Sequence, residues 1–465
     1  MKRIFFIAII LASVNLTFAQ SGSKHATGLS FNDDQYKTTP MKAPLVRSLY
    51  SLPSSASLKK WCPSPKSQGQ YGTCVGWSST YAAMTIIEAQ KNNWTDKTKI
   101  NSNAFSPLFV YAQIKMKTDD NCQYGTYIND ALTILKDKGA AKYNDFNVDC
   151  ASSIPSNLFT LASNYKIKDF AKLFDITDVS SIKIQTTKKS LSENKPVVIG
   201  MAVPSSFDYA TDCWQPTEDP NGTYGGHAMC VIGYDDNKFG GAFEIQNSWG
   251  ADWGNQGYIW VKYNDYSNFC KYAYELIEPL NSNQNNNQEA SLSGKVKFIL
   301  SNGNEMKATL YNNIYKMNDK YKSGTKFRLH ISNNEPAFVY AFGSDLTNKT
   351  YQIFPYAPGI SPALTYKQND VALPDEDHYI EMDNKVGTDF LCVLYSLSPL
   401  NIDEIRTKVQ NQTTGTFQQK VQNAISSNMV SFSNVQYLKN NQIGFDAKSK
   451  DKTVVALIVE TTHIQ

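Results

Sequence analysis

Residues 68–78 read Gln68-Gly69-Gln70-Tyr71-Gly72-Thr73-Cys74-Val75-Gly76-Trp77-Ser78. A glycine-containing loop runs into Cys74, and from Val75 to Gln90 the apolar residues Trp77, Tyr81, Met84 and Ile87 recur at helical spacing. Cys74 is therefore expected at a loop-to-helix junction. The partial positive charge of a helix N-terminus favours a thiolate there, the nucleophilic form of the side chain. A second helix is expected from Asn129 to Lys138, ended by Gly139. After Pro196 the pattern changes. Val197 to Val203, Ala228 to Tyr234, Ala242 to Gln246 and Gly257 to Tyr263 are short β-rich runs separated by Gly, Asp and Asn. They read as strands of an antiparallel sheet. A helical half followed by a sheet half makes an α+β domain, and the cleft between the halves is the natural site.

The chain holds five histidines, few enough to weigh singly. His227 opens the second β-run after two glycines, which allow another chain to approach closely. Its imidazole can supply the base for Cys74. Asn247, followed by Ser248-Trp249-Gly250, can fix the ring by accepting from its N–H, with Trp249 shielding that bond. Gln68 stands six residues before Cys74, and its amide can join the Cys74 backbone N–H as an oxyanion hole. Nucleophile, base, orienter and oxyanion donor are all present, the parts of an acyl-transfer site. His25, His330, His378 and His463 lack comparable neighbours and read as structural or solvated.

With the stretch 68–78, two further blocks carry a resemblance: Gly226-His227-Ala-Met-Cys-Val-Ile-Gly-Tyr-Asp235, and Gln246-Asn247-Ser248-Trp249-Gly250-Ala-Asp-Trp253-Gly254-Asn-Gln-Gly257-Tyr258. Together they resemble the papain family of cysteine peptidases, in the order Cys, His, Asn, over about residues 52–275. The resemblance implies a papain-like fold with a helical lobe, a sheet lobe and the active site between them. It implies Cys74 as nucleophile, His227 as base and acid, Asn247 as orienter and Gln68 as oxyanion donor. For substrate binding it implies Gly125, which would pair with an extended peptide, together with Gly226 and Trp249. Some positions depart from the family pattern. Tyr71 replaces a cysteine, so the usual disulfide beside the site cannot form, and Val75 replaces an aromatic residue whose space Trp77 can fill. The family's inhibitory pro-segment is long and helical, and residues 20–51 are too short for one.

The rest of the 465 residues sets the context. Lys2 and Arg3, the apolar run Phe5 to Val14, and Thr17 and Ala19 before Gln20 read as a cleavable export signal over 1–19. No later run is long and apolar enough for a membrane span. Export to the periplasm, cell surface or medium makes disulfides possible, and Cys122–Cys150 is the expected pair. Residues 20–51 read as a spacer or short pro-segment, 52–280 as the peptidase domain, and 281–292 as an Asn/Gln-rich linker. Residues 293–465 read as a mostly β accessory domain with one helix, Ile402 to Gln410. They resemble a bacterial β-domain of unknown function. Its aromatic residues are read as alternating into a core, with a binding groove as the alternative.

A formal charge of +3, two units of it from Lys2 and Arg3, gives no reason to expect nucleic acid as a partner. No C-x-x-C or His-x-x-x-His spacing points to zinc, and no cofactor is expected. The expectation is an exported cysteine endopeptidase acting on peptides or proteins. The alternatives are a different cysteine acyl-transferase or a catalytically silent binding module.

Overall fold

The computed structural model describes residues 24–279, 290–345, 347, 349–450 and 452–465. The signal expected over 1–19 lies outside the described residues, as do positions 281–289 of the linker. The linker's last three positions need correcting, because the strand Ala290–Leu300 already begins there.

Cys74 starts a continuous helical segment: an α-turn over Cys74–Gly76, a π-helical stretch over Trp77–Met84, and an α-helix over Thr85–Lys91. Every residue of the π stretch is buried, so this helix is hydrophobic all round and forms the core of the helical lobe. Pro107–Ile114 packs against it, with the Ser106 side chain accepting from Phe109 N and proline in the first turn. The second expected helix spans Ile128–Asp137. It buries Ile128, Ala131, Leu132 and Leu135, a spacing that puts all four on one face.

The sheet lobe is built on five strands in the order Cys270–Ile277, Val197–Val203, Gly225–Asp235, Ala242–Gln246 and Tyr258–Lys262, each antiparallel to its neighbour. Helix Ser180–Ser192 and the central strands are packed together. His227 lies opposite Met201 on the neighbouring strand and faces the lobe boundary.

Residues 24–51 are no loose spacer. Asn32 caps a helix over Asp33–Thr38, and Tyr36 within it is fully buried. The Tyr36 hydroxyl donates to Phe174 O (2.7 Å) and accepts from Ala273 N (3.2 Å). Next, Met41–Lys42 pairs in parallel with Asp169–Lys172 on one side and with Ile360–Ser361 of the accessory domain on the other. The segment thus carries one sheet across from the peptidase domain to the accessory domain. Lys42 Nζ meets Glu275 at 2.5 Å and Thr365 Oγ1 at 2.7 Å, while Ser190 and Tyr366 hydroxyls also donate to Glu275.

Burial alone would raise the Glu275 carboxyl, but Lys42 and Ser190 outweigh it and hold it below its usual value. Burial also draws the Lys42 ammonium down, against the pull of Glu275. The pair remains charged because Lys42, Ser190, Tyr366 and the Thr365 hydroxyl (3.1 Å) all donate to one carboxylate. Lys42→Ala leaves that carboxylate buried without its cation. The expected loss is roughly 3–5 kcal/mol of stability, read by urea unfolding of the whole chain.

The accessory domain is a sandwich of two sheets. One runs Asn369–Leu373, Lys326–Asn333, Ala290–Leu300, Ile443–Ser449 and Gln436–Tyr437; the other Ala308–Tyr311, Ile314–Lys322, Val454–Ile464, Gly387–Ser396, Ala337–Ser344 and Thr350–Phe354. Along Ala337–Ser344, Ala337, Val339 and Ala341 face the sandwich core. Phe338, Tyr340 and Phe342 point the other way, under helix Ile402–Gln410 and a second helix, Phe417–Ile425, that sequence reading missed. These aromatic residues are therefore core, not groove. Ala171 and Ile277 of the peptidase domain join the same cluster, so the two domains share apolar packing.

Candidate active site

Three local devices bring the site together. The loop before Cys74 is held where Gly72 N donates to Cys122 O at 2.8 Å. Cys122 is bonded to Cys150, the expected pair, with a Cα–Cα distance of 5.5 Å. The Asp119 carboxylate accepts from Gln123 N, Tyr124 N and the Tyr111 hydroxyl, which shapes the turn leading to Gly125. On the other lobe, Asn247 follows directly after a strand, and its N–H donates to Gly257 O at 3.0 Å. The glycine-rich pattern beyond it has a backbone cause, since Gly250, Gly254 and Gly257 all have positive φ.

Cys74 and His227 are fully buried, and Asn247 and Gln68 nearly so. Asn247 Oδ1 lies 2.7 Å from His227 Nε2 and also accepts from Ser248 N at 2.7 Å. A backbone N–H can only donate, so the atom facing His227 is the amide oxygen and Nε2 carries the hydrogen. Nδ1 of the neutral ring then holds the lone pair. Among the described residues it has no hydrogen-bond partner. Trp249 stacks on the ring at 4.7 Å and covers the Asn247–His227 bond. Cys74 Sγ accepts from Ala228 N at 3.4 Å, beside His227. Ser248 Oγ donates to Gln68 Oε1 at 2.6 Å, which turns the Gln68 amide nitrogen outward. Trp77 packs with Tyr81 and Tyr143, away from the position of Val75.

Burial pushes the Cys74 thiol up to about 12, opposed by N–H groups of Ala228 and Val75. Burial also lowers His227 to about 4, against its bond to Asn247. Both shifts favour the neutral pair, thiol beside imidazole, while the site is buried.

The chain's own N-terminal segment lies over this site. Lys24 N and His25 N donate to the buried Asp208 carboxylate. His25 stacks on Trp249 at 4.7 Å. Ala26 O accepts from Trp249 Nε1 (2.8 Å) and Gln68 Nε2 (3.2 Å). Leu29 N donates to Gly226 O (3.1 Å), Ser30 N to Thr126 O (3.0 Å), and Thr126 N to Gly28 O (2.9 Å). The Leu29 side chain is buried against Gly200. An added Cβ at Gly125 would meet Ser30, and one at Gly226 would meet Leu29 O at 2.3 Å. The three residues expected to hold substrate, Gly125, Gly226 and Trp249, are thus all covered by residues 25–30.

Sequence reading missed Asp208, Ser248, Asp119 and the covering segment, and it set His25 aside. Ser248 lay within a quoted motif and was legible there. Asp208 had no local signal. Among the described residues, no group of three or more His, Cys, Asp or Glu is arranged to hold a metal ion.

Two stretches of the chain match known families. Residues 53–280 match the family model described as papain family cysteine protease, and residues 320–399 match a domain of unknown function (DUF4384). "Cysteine proteinase 3" of Entamoeba histolytica is 24% identical over 229 residues, 47% of this chain and 66% of that protein. "Digestive cysteine proteinase 3" of Homarus americanus is 25% identical over 227 residues, 46% of this chain and 62% of that protein. The chain thus spans less than two thirds of either relative. Among solved structures, xylellain, a cysteine protease from Xylella fastidiosa, is 23% identical, with a TM-score of 0.44 over 55% of this chain and 96% of its own. Through residues 53–280, this chain belongs to the papain family of cysteine proteases.

Proposed function

We propose that the protein is an exported cysteine endopeptidase, made latent by its own N-terminal segment. The observation that carries the reading is the His227 ring. Its Nε2–H is committed to Asn247, its buried Nδ1 has no partner among the described residues, and the N–H of the next residue, Ala228, reaches Cys74 Sγ. In the reaction, Nδ1 takes the Cys74 proton and the sulfur attacks a peptide carbonyl. The carbonyl oxygen gains the negative charge and is held by Gln68 Nε2 and the Cys74 N–H. The C–N bond breaks as the imidazolium protonates the leaving amine. Water, deprotonated by His227, then hydrolyses the thioester.

An extended segment lying across the cleft, from Trp249 to Gly125, supports cleavage within a chain rather than at its end. The Cys122–Cys150 bond supports an oxidising compartment, and the Lys2-Arg3 and Phe5 to Val14 pattern supports export. The accessory domain is proposed to serve substrate or surface binding. The test is a mixed peptide library incubated with residues 20–465 under reducing conditions. Cleavage that survives complete thiol alkylation, or no cleavage at any pH after the N-terminal segment is removed, overturns the reading.

Acid should loosen the covering segment. The buried His227 titrates near 4, whereas a hydrated histidine titrates near 6.5. Between these values the uncovered state binds more protons than the covered one. The covered state is therefore most favoured above about 6.5 and loses ground as pH falls toward 4. His25, lowered by burial and raised by Asp208, acts in the same direction. Alkylation of Cys74, normalised to that of a free thiol at each pH, should accelerate on moving from pH 7.5 to 4.5.

A further inference from the structure

The accessory domain holds a cavity of about 280 Å³ at one end of its sandwich, where the two sheets part. Its walls are apolar. Phe298, Leu329 and Leu391 are buried at its base, and Phe327, Ile380 and Phe390 are half-buried nearer the mouth. Tyr351 stands exposed at the opening. Such walls favour an apolar body, and a few polar groups then decide which head group enters.

Those polar groups are mostly acidic. Asp345, Glu381, Asp383 and Asp389 line the cavity, against Lys385 and His463. Most are already engaged. Glu381 lies 3.4 Å from Lys326, Asp345 lies 3.8 Å from Lys385, and Asp389 lies 3.3 Å from His463 Nδ1. Among the described residues Asp383 makes no ion pair, and its carboxylate accepts the Lys385 backbone N–H at 2.8 Å. Asp345, Asp383 and Asp389 also lie close enough to act on one another and on the Tyr351 hydroxyl. Burial pushes Asp389 up, His463 opposes that, and Asp383 and Asp345 add to it. With Asp345 and Asp389 each facing a basic partner, Asp383 is the carboxylate at this apolar mouth that no side-chain cation meets among the described residues, and the acidic rim disfavours an anion.

We propose that this cavity binds an ammonium or guanidinium group carried on an apolar stem. The stem lies between Phe298, Leu329 and Phe390, and the charged head lies between Asp383 and Asp389 over the face of Tyr351. An aromatic face beside carboxylates suits a cation twice, through the ring quadrupole and through charge. A lysine or arginine side chain and a free alkylamine share this chemistry.

The Cys74→Ala full-length chain, which cannot consume a peptide, is titrated calorimetrically with n-butylamine, butyrate, 1-butanol and the peptide acetyl-Gly-Gly-Lys-Gly-Gly-amide. Butylamine should bind and the two isosteric controls should not. Asp383→Asn, at an exposed position that leaves the core untouched, should weaken butylamine at least about tenfold. The double variant with Asp389→Asn should abolish binding while keeping the unfolding midpoint. Peptide binding at least as tight as that of butylamine identifies the source as a protein side chain; butylamine binding alone identifies a small amine. Equal binding of butyrate or butanol, no binding of either amine, or indifference to Asp383→Asn overturns the proposal.

Discussion

Cys74→Ala will lose peptide hydrolysis by roughly 10⁴-fold or more in kcat, with the fold unchanged. The sulfur forms the covalent intermediate, and no neighbouring group can take its place. Cys62, Cys230, Cys270 and Cys392 are buried free thiols and Cys213 is a half-buried one, and burial pushes each above the ordinary thiol value. In the covered state burial raises the Cys74 thiol as well. Its distinction is position, at the start of a helix beside a histidine whose second nitrogen is held by an amide. The comparison is best made by steady-state kinetics in a chain with the cleft uncovered. Loss of activity with an unchanged unfolding curve is the expected pair of results. Activity within tenfold of the parent would remove Cys74 from the reaction.

Uncovering the cleft supplies the second large effect. Gly28 passes so close to the loop before Cys74 that a Cβ there would lie 2.2 Å from Gly72 O. Gly28→Val therefore cannot keep residues 25–30 in place, because the opposing atoms are backbone held by the Cys122 turn. The segment is secured by backbone hydrogen bonds to Gly226 and Thr126, by the two donors on Ala26 O, and by the buried Leu29. The stability of the cover is a small difference between these contacts and the entropy of ordering the segment, and a difference of about 3 kcal/mol corresponds to about a hundredfold in access to Cys74. Gly28→Val, or a chain starting at Phe31, should show a gain of about that size in kcat/KM and in the alkylation rate of Cys74. An unchanged rate would mean that the segment leaves the cleft freely in solution. The helix Asp33–Thr38 and the strand Met41–Lys42 should remain, since Tyr36 and Lys42 are anchored separately.

Much of the peptidase domain was legible because its signals are local. Val197–Val203 and Ala242–Gln246 occur at the expected residues, since short stretches carrying Val, Ile or Phe and bounded by Pro, Gly and Asn admit little else. The nucleophile helix was legible from its apolar spacing, though not its π-helical stretch, which follows from packing on every side. Residues 24–51 read only as a spacer or short pro-segment for the opposite reason. Their partners are backbone atoms of Gly226, Thr126 and Asp169–Lys172, far away in the chain, and a segment bound through its backbone needs no apolar period. Helix Phe417–Ile425 was missed although Thr416 and Gln419 form a capping box, a signal that was there to be read.

The sequence by itself determined the chemistry: a glutamine and then a cysteine at a helix start, followed by a histidine and an asparagine, at the spacings one catalytic site requires. Only the tertiary structure decided whether that chemistry is exposed. Side-chain type sets what a group can do and is written locally. Burial, hydrogen-bond direction and the protonation of Cys74 and His227 depend on what lies across the cleft. That covering segment comes from almost 50 residues before Cys74 and 200 before His227, and nothing local records the approach.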